Sequence, residues 1–316
     1  MDKSFAREPI YIVGPTGSGK SSLAMKLALL LDGVIVSADS MQINKTLDIG
    51  TAKESAENRS KVRHEMIDVV DVDSEFSVAE YAVQARQHIK DVLDAGKTPI
   101  IVGGTGLYFE ALFYPMSFGK TNKDEKVRSQ LENELEKFGA EYMHDKLAKV
   151  DPETAEKLHV NDTRRVIRAL EIAISGGKTK SESRDEMEKP NVLVIGLNTD
   201  RAKLYDRINK RVENMFEEGL VNEVYSVGSF DYQSMKAIGY KEFAVAKPTK
   251  NADGKFVLDK NTEDEIKATI QKNTRNYAKR QLTWFRRYDF VNWFDVEDHE
   301  GAIRFVQEKL LKNPQN

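Results

Sequence analysis

The octapeptide Gly14-Pro15-Thr16-Gly17-Ser18-Gly19-Lys20-Ser21 is the part of this sequence whose residue types and spacing are most plainly chemical. It fits the phosphate-binding pattern G-x-x-x-x-G-K-[S/T] in full. Backbone N–H groups in such a loop converge on phosphate oxygens, and glycines supply the open dihedrals and the close approach. Lys20 adds a point charge. Ser21 offers a hydroxyl that can hold a magnesium ion bridging two phosphate groups. The alternative is a chance glycine-rich turn, which the flanking pattern of apolar run and helical run argues against. The octapeptide therefore implies a bound di- or triphosphate and leaves open which bond breaks.

Four other places carry candidate chemistry. Asp39 ends an apolar run at Asp39-Ser40-Met41-Gln42. In open α/β sheets the carboxyl ends of strands line the site, although an aspartate there also reads as a turn or a helix cap. Thr98 to Val102 runs into Gly103-Gly104-Thr105-Gly106, with Thr105 where many phosphate-loop enzymes place an acidic magnesium ligand. Arg211 falls inside the apolar stripe Leu204, Ile208, Val212 and Met215 of an expected helix. An inward arginine needs an anion, either a buried carboxylate or the phosphates of the loop. Lastly, Lys272, Arg275, Lys279 and Arg286 share one face of a long expected helix, and no acid interrupts Lys267 to Arg287. That stripe reads as a phosphate-backbone surface or as a merely soluble face.

The elements that must position these residues follow from hydrophobic period and punctuation. Ile10–Val13, Val34–Ser37, Thr98–Val102 and Asn191–Leu197 read as strands, and Met66–Val70 as a possible short one. Helices are expected after Ser21, from Val78 under a Ser77 cap to about Ala95, from about Arg201 to Glu218, and from about Glu263 to Arg287. Between Tyr114 and Pro190 the character changes to helices: one from about Lys123 to Gly139 with Val127, Leu131, Leu135 and Phe138 on one face, a short one after Asp151-Pro152, and Thr163–Ser175. On the last, Val166, Ile167, Leu170 and Ile174 form the apolar face, with Arg164, Arg165, Arg168 and Glu171 opposite. Lys178–Lys189 reads as polar and mobile, and Thr249–Asp264 as a surface insertion. The expected fold is α/β: a phosphate-loop parallel sheet core with helices on both faces, residues 1–114 and 191–316, interrupted by a helical insertion domain, 115–190.

Composition narrows the class. The chain has 316 residues, enough for one large domain and a smaller one, and its net charge of −3 means any nucleic-acid surface must be local. Cysteine is absent, which excludes disulfides, thiolate zinc sites and a cysteine nucleophile. No run approaches membrane-spanning length, and the N-terminus lacks an export-type apolar core, so no membrane and a cytoplasmic location are expected. Nothing demands a dimer, and a monomer is expected.

Several stretches together resemble the bacterial-type tRNA dimethylallyltransferases, or isopentenyl-tRNA transferases. They are the phosphate loop, Asp39–Gln42, Asp48-Ile49-Gly50-Thr51-Ala52-Lys53, Gly103–Tyr108, Asn161–Glu171, Ile238–Lys241 and Thr274–Phe285, in the family's order and over nearly the whole chain. The resemblance implies transfer of the dimethylallyl group of dimethylallyl diphosphate to N6 of adenosine 37 of tRNA, beside the anticodon, with Mg²⁺ as cofactor. It implies that Lys20, Ser21 and Arg211 hold the diphosphate and that Asp39 is the general base. Thr105 is implied to stand near the scissile oxygen. For the anticodon stem-loop it implies Asp39, Ser40, Met41 and Gln42, with Thr105, at the flipped base. Arg128 and the segment Arg164, Arg165, Val166, Ile167 and Arg168 are implied to grip the stem-loop. Lys236, Ala237, Ile238, Gly239, Tyr240 and Lys241, with Arg275 and Lys279, are implied to hold backbone phosphates. The missing acid after β-strand Thr98–Val102 fits, because no γ-phosphoryl group moves. With no cysteine, the C-terminal zinc finger of eukaryotic relatives is not expected. A small-molecule kinase, an isopentenyltransferase for free AMP or ADP and a non-enzymatic RNA-binding switch are the competing readings.

Overall fold

The structure, a computed structural model, describes residues 7–114, 125–174 and 190–312. The chain divides into two compact units, Met1–Phe113 with Asn191–Asn316, and Tyr114–Pro190.

The first unit is built on strands β1 (Ile10–Val13), β2 (Gly33–Ser37), β3 (His64–Glu65), β4 (Thr98–Val102) and β5 (Leu193–Asn198), a hairpin β6 (Thr249–Lys250) and β7 (Phe256–Val257), and β8 (Val291–Asp295). Its helices are α1 (Lys20–Leu31), α2 (Ala56–Lys61), α3 (Val78–Asp94) and α4 (Gly106–Phe113). The second unit supplies α5 (Glu125–Val150), α6 (Pro152–Lys157) and α7 (Thr163–Ile174). The first unit resumes with α8 (Arg201–Glu217), α9 (Leu220–Ser226), α10 (Lys260–Phe285) and α11 (His299–Lys312). Six strands form one sheet in the order β3-β2-β4-β1-β5-β8, every pairing parallel.

A parallel sheet must be covered on both faces, and the alternation within β1 shows how. Ile10 and Ile12 pack with Leu23, Leu27 and Leu31 of α1 and with Ala302, Val306 and Leu310 of α11. Tyr11 points the other way, edge-on to Phe109 and Phe113 of α4, and Phe109 meets Phe285 of α10. Helix α3 starts on a capping box, in which Ser77 and Glu80 satisfy each other's backbone N–H groups. β1 lies in the middle of the sheet, so the loop that leaves its carboxyl end opens where β4 and β5 also end.

Four expectations change. The strand near residue 66 is His64–Glu65 rather than Met66–Val70: Met66 and Asp68 take positive φ, 61° and 57°, and the chain turns there. Thr249–Asp264 is a hairpin followed by the start of α10, capped by Asp259. β8 and α11 were not foreseen; β8 is an edge strand whose period is masked by its partly exposed face. In the second unit Gly139, at φ 82° and ψ 177°, is non-helical, so the first helix stops there as expected and α5 is two helices joined across that break. There Phe138 and Ile174 are exposed rather than on the apolar face, while Glu171 is buried and pairs with Arg128 and Arg168. The expected polar stretch Lys178–Lys189 lies outside the described residues.

Candidate active site

The loop between β1 and α1 opens into a cavity of about 790 Å³ lined by Thr16, Gly17, Gly19, Lys20 and Ser21. Gly17 and Gly19 adopt left-handed φ of 79° and 76°, which aligns successive backbone N–H groups inward. Gly14 is required for another reason. A Cβ there would stand 2.5 Å from the Leu197 carbonyl oxygen of β5. Ser18 is buried inside the loop and its hydroxyl has no hydrogen-bond partner. Lys20 Nζ donates to the Pro15 carbonyl at 2.6 Å.

Asp39, Ser40, Met41 and Gln42, at the end of β2, line the same cavity, as does Arg211 from α8. Asp39 also makes the turn that sequence allowed: its Oδ1 accepts from the Met41 N–H at 2.9 Å. Turn and cavity wall are thus the same residue. Arg211 has no carboxylate in salt-bridge range among the described residues; its Nη2 reaches only the Thr51 carbonyl, at 3.5 Å. Lys20 and Arg211 open on the cavity rather than on bulk water. Burial, then the Arg211 charge, holds the Lys20 ammonium down at about 7, against an opposing pull from Asp39. Burial also lowers Arg211, which Asp39 and Glu218 oppose. Two half-buried cations on one cavity wall, with the Asp39 carboxylate acting on both, make a receptor for a multiply charged anion.

Thr105 does not line the cavity. Its Oγ1 accepts from the Ser40 N–H at 3.0 Å and donates to the Ser40 hydroxyl at 3.3 Å, so it holds the Asp39 turn in place. Tyr277 of α10 lies within reach of Thr105 and Gln281; burial and the Asp39 charge push its phenol up to about 12.

The loop Asp48–Lys53 supplies another wall through Gly50, Thr51, Ala52 and Lys53, and two charged side chains fix it. Glu223 of α9 accepts the N–H groups of Asp48, Ile49 and Gly50 at 2.8, 2.7 and 2.9 Å, and the Tyr240 hydroxyl at 2.9 Å. Lys53 donates to the Asn44 carbonyl, Asp48 and Asp68. Tyr240 is fully buried, so its side chain is a brace of this loop and is not presented to a polyanion. Burial, then Glu223, raises its phenol well above the ordinary value.

Of the remaining expected RNA contacts in this unit, Lys236, Ala237, Ile238 and Gly239 line the cavity, and Lys241, Lys272, Lys279 and Arg286 are exposed. Arg275 is held against α8, donating to Asn209 Oδ1 at 2.7 Å and lying 5.7 Å from the centre of the Tyr205 ring. In the second unit Arg164, Arg165 and Arg168 are exposed on α7, while Val166 and Ile167 are buried in that unit's own core. Arg128 on α5 bonds Glu132 and Glu171.

Sequence reasoning missed Arg207, Arg280 and Gln281, all on the cavity wall. Gln281 was legible by the signal that exposed Arg211: it is a polar residue in register with the buried positions Ala278 and Phe285. Among the described residues no group of three His, Asp or Glu side chains could hold a metal ion, and no helix is long and apolar enough to cross a membrane.

Comparison with known proteins gives the family. Residues 42–288 match the family model described as IPP transferase. The chain is 43% identical to a tRNA dimethylallyltransferase of Bacillus cytotoxicus, over 100% of both chains. It is 43% identical to that of Bacillus anthracis, over 96% of this chain and 97% of the other. Among solved structures it is similar to a tRNA isopentenylpyrophosphate transferase of Bacillus halodurans, at 39% identity, with a TM-score of 0.68, covering 97% of this chain and 98% of that one. A eukaryotic dimethylallyltransferase acting on tRNA matches at 29% identity and a TM-score of 0.74, covering 93% of this chain and 75% of that one. The family match covers more than half of the chain and the relatives match along its whole length: this chain belongs to the IPP transferase family.

Proposed function

We propose that this protein transfers the dimethylallyl group of dimethylallyl diphosphate to N6 of adenosine 37 in tRNA, releasing diphosphate. The observation that carries the reading is one cavity lined by the phosphate loop, Lys20, Arg211 and Asp39 together. A kinase would need an acceptor for a γ-phosphoryl group. A carboxylate facing a diphosphate cradle instead suits alkylation of a weak nitrogen nucleophile.

The exocyclic amine of adenine is a poor nucleophile because its lone pair is delocalised into the ring. As the N6–C bond forms and the C–O bond breaks, one N6 proton must leave, and Asp39 accepts it. Lys20, Arg211 and the loop N–H groups receive the charge that develops on the diphosphate oxygens. Thr105 acts through Ser40, keeping the Asp39 turn in register. The donors present fit magnesium: Ser21 contributes one hard oxygen on the cavity wall, and such an ion takes its remaining ligands from phosphates and water. When bound it would supply further neutralisation of the leaving group.

A base inside an anticodon loop must be splayed out to reach such a cavity. Asp39 to Gln42 and Lys236 to Gly239 offer the wall for it. Exposed Lys272 and Lys279 on α10, and Arg164, Arg165 and Arg168 in the helical unit, hold backbone phosphates. Phosphate contacts position the RNA and base contacts choose the adenosine.

Purified protein with Mg²⁺, dimethylallyl diphosphate and unmodified tRNA is expected to give prenylated adenosine, read by mass spectrometry of a nuclease digest. Label on free AMP instead would move the substrate class to free nucleotides. Tight tRNA binding with no modified base would leave an RNA-binding protein only.

A further inference from the structure

Helix α10 turns a polar residue into its own buried face. Gln281 is 5% exposed and lies in register with Ile270, Ala278 and Phe285. A buried amide needs partners on both its ends. Besides the Tyr277 phenol within its reach, Gln281 finds two backbone partners, both on the donor side of the cavity. Its Oε1 accepts from the Thr16 N–H of the phosphate loop at 2.9 Å. Its Nε2 donates to the Gly104 carbonyl, in the turn after β4, at 2.9 Å. Glycine is what permits that approach, since a Cβ on Gly104 would stand 2.1 Å from Nε2.

The neighbouring packing holds the same loop from the other side. A Cβ on Gly17 would meet Ile208 at 3.2 Å and Leu204 at 3.7 Å, and Ala278 of α10 buries itself against those two α8 residues. The loop is therefore seated on α8 and tied to β4's turn by one amide. Thr16 N–H is engaged by Gln281.

We propose that Gln281 is a positioning residue for the prenyl donor. Its amide fixes the distance between the phosphate loop and the Gly103-Gly104-Thr105 turn, and so pre-forms the arrangement in which the remaining loop N–H groups meet diphosphate. This rests on the reading that the loop holds the donor's diphosphate. It assigns to a residue of the RNA-facing helix a task in donor binding, carried out through Thr16 and Gly104.

The test uses the full chain and dimethylallyl S-thiolodiphosphate, an analogue whose C–S bond resists transfer. Gln281→Leu removes both bonds. Gly104→Ala keeps Gln281 and pushes its amide away from the opposite side, so it decides the matter if Gln281→Leu does not fold. Both variants are expected to bind the analogue roughly 10-fold more weakly, the scale of one or two lost hydrogen bonds. KM for the donor should rise similarly, with kcat at saturation held within about two-fold. Amide exchange should quicken in peptides spanning residues 14–21 and stay unchanged in α3, and tRNA affinity should not move. Unchanged analogue affinity in a folded variant overturns the proposal, as does a loss of tRNA affinity equal to the loss for the analogue. Wild-type chain that ignored the analogue would sink the diphosphate reading and this proposal with it; wild-type binding with unaltered variants sinks only the role of Gln281.

Discussion

Raising the pH from about 7 to about 9 should remove the lysine charge from the empty donor site and make donor binding progressively weaker. Burial first, and the Arg211 charge second, hold Lys20 at about 7 in the free protein. The protonated share is then about one half at pH 7, one eleventh at pH 8 and one hundredth at pH 9. A diphosphate in the loop needs the ammonium form, so binding must draw in the missing proton. Affinity for dimethylallyl S-thiolodiphosphate should fall about fivefold between pH 7 and 8, and about tenfold between 8 and 9. The phosphate's own last ionisation, near pH 6, adds little above 7. Calorimetry in buffers of different ionisation enthalpy should count uptake of about half a proton at pH 7 and about 0.9 at pH 8. In Arg211→Met the second cause is gone while burial stays, so the midpoint should move upward but not to the free-lysine value of 10.5. The same lowering sets a stability trend. The cost of charging buried Lys20 is full below about pH 7 and lifts as pH rises toward 10.5, where only the unfolded chain would still hold the proton. An affinity that stays flat from pH 7 to 9, with no proton taken up, would refute the electrostatic account of the site.

Asp39→Ala should retain donor and tRNA binding and lose turnover by roughly 10²-fold or more, the usual scale for a general base; single-turnover rates near wild type would remove that role. Lys279→Ala should weaken tRNA binding evenly across sequences and flatten the slope of log affinity against log salt by about 0.7–0.9. Arg275→Ala should flatten it less, because that guanidinium is engaged by Asn209 and Tyr205. Equal slopes for the two variants would contradict the placement. Tyr240→Phe removes a phenol bond to the Glu223 carboxylate, and chemical denaturation should show a loss of about 1–2 kcal/mol. No loss would mean that the Asp48–Gly50 loop is held by its backbone bonds to Glu223 alone.

Local patterns carried much of the fold. Each central strand is a short apolar run, and each long helix near the cavity has a cap or a glycine stop, as at Ser77 and Gly219. Tertiary context decided the exceptions. His64–Glu65 is a strand because it pairs with β2 at Ile35 and Val36, not because of its own composition. β8 pairs along β5 while its own side chains stay half exposed, which blurs the period. Glu171 looked solvated on a helical wheel and is buried because Arg128, on another helix, comes to meet it.

By itself the sequence marked the phosphate-binding pattern, because a glycine loop between strand and helix is written in local residue spacing. It also marked Arg211 as unusual, because an arginine in an apolar stripe violates periodicity. Only the tertiary structure decided what that arginine faces, which of the expected RNA-binding residues keep a free side chain, and that Gln281, Glu223 and Lys53 hold the walls in place. Those facts depend on contacts between residues up to 265 positions apart. No local pattern encodes such a contact, since it arises only when the sheet brings several strand ends to one edge.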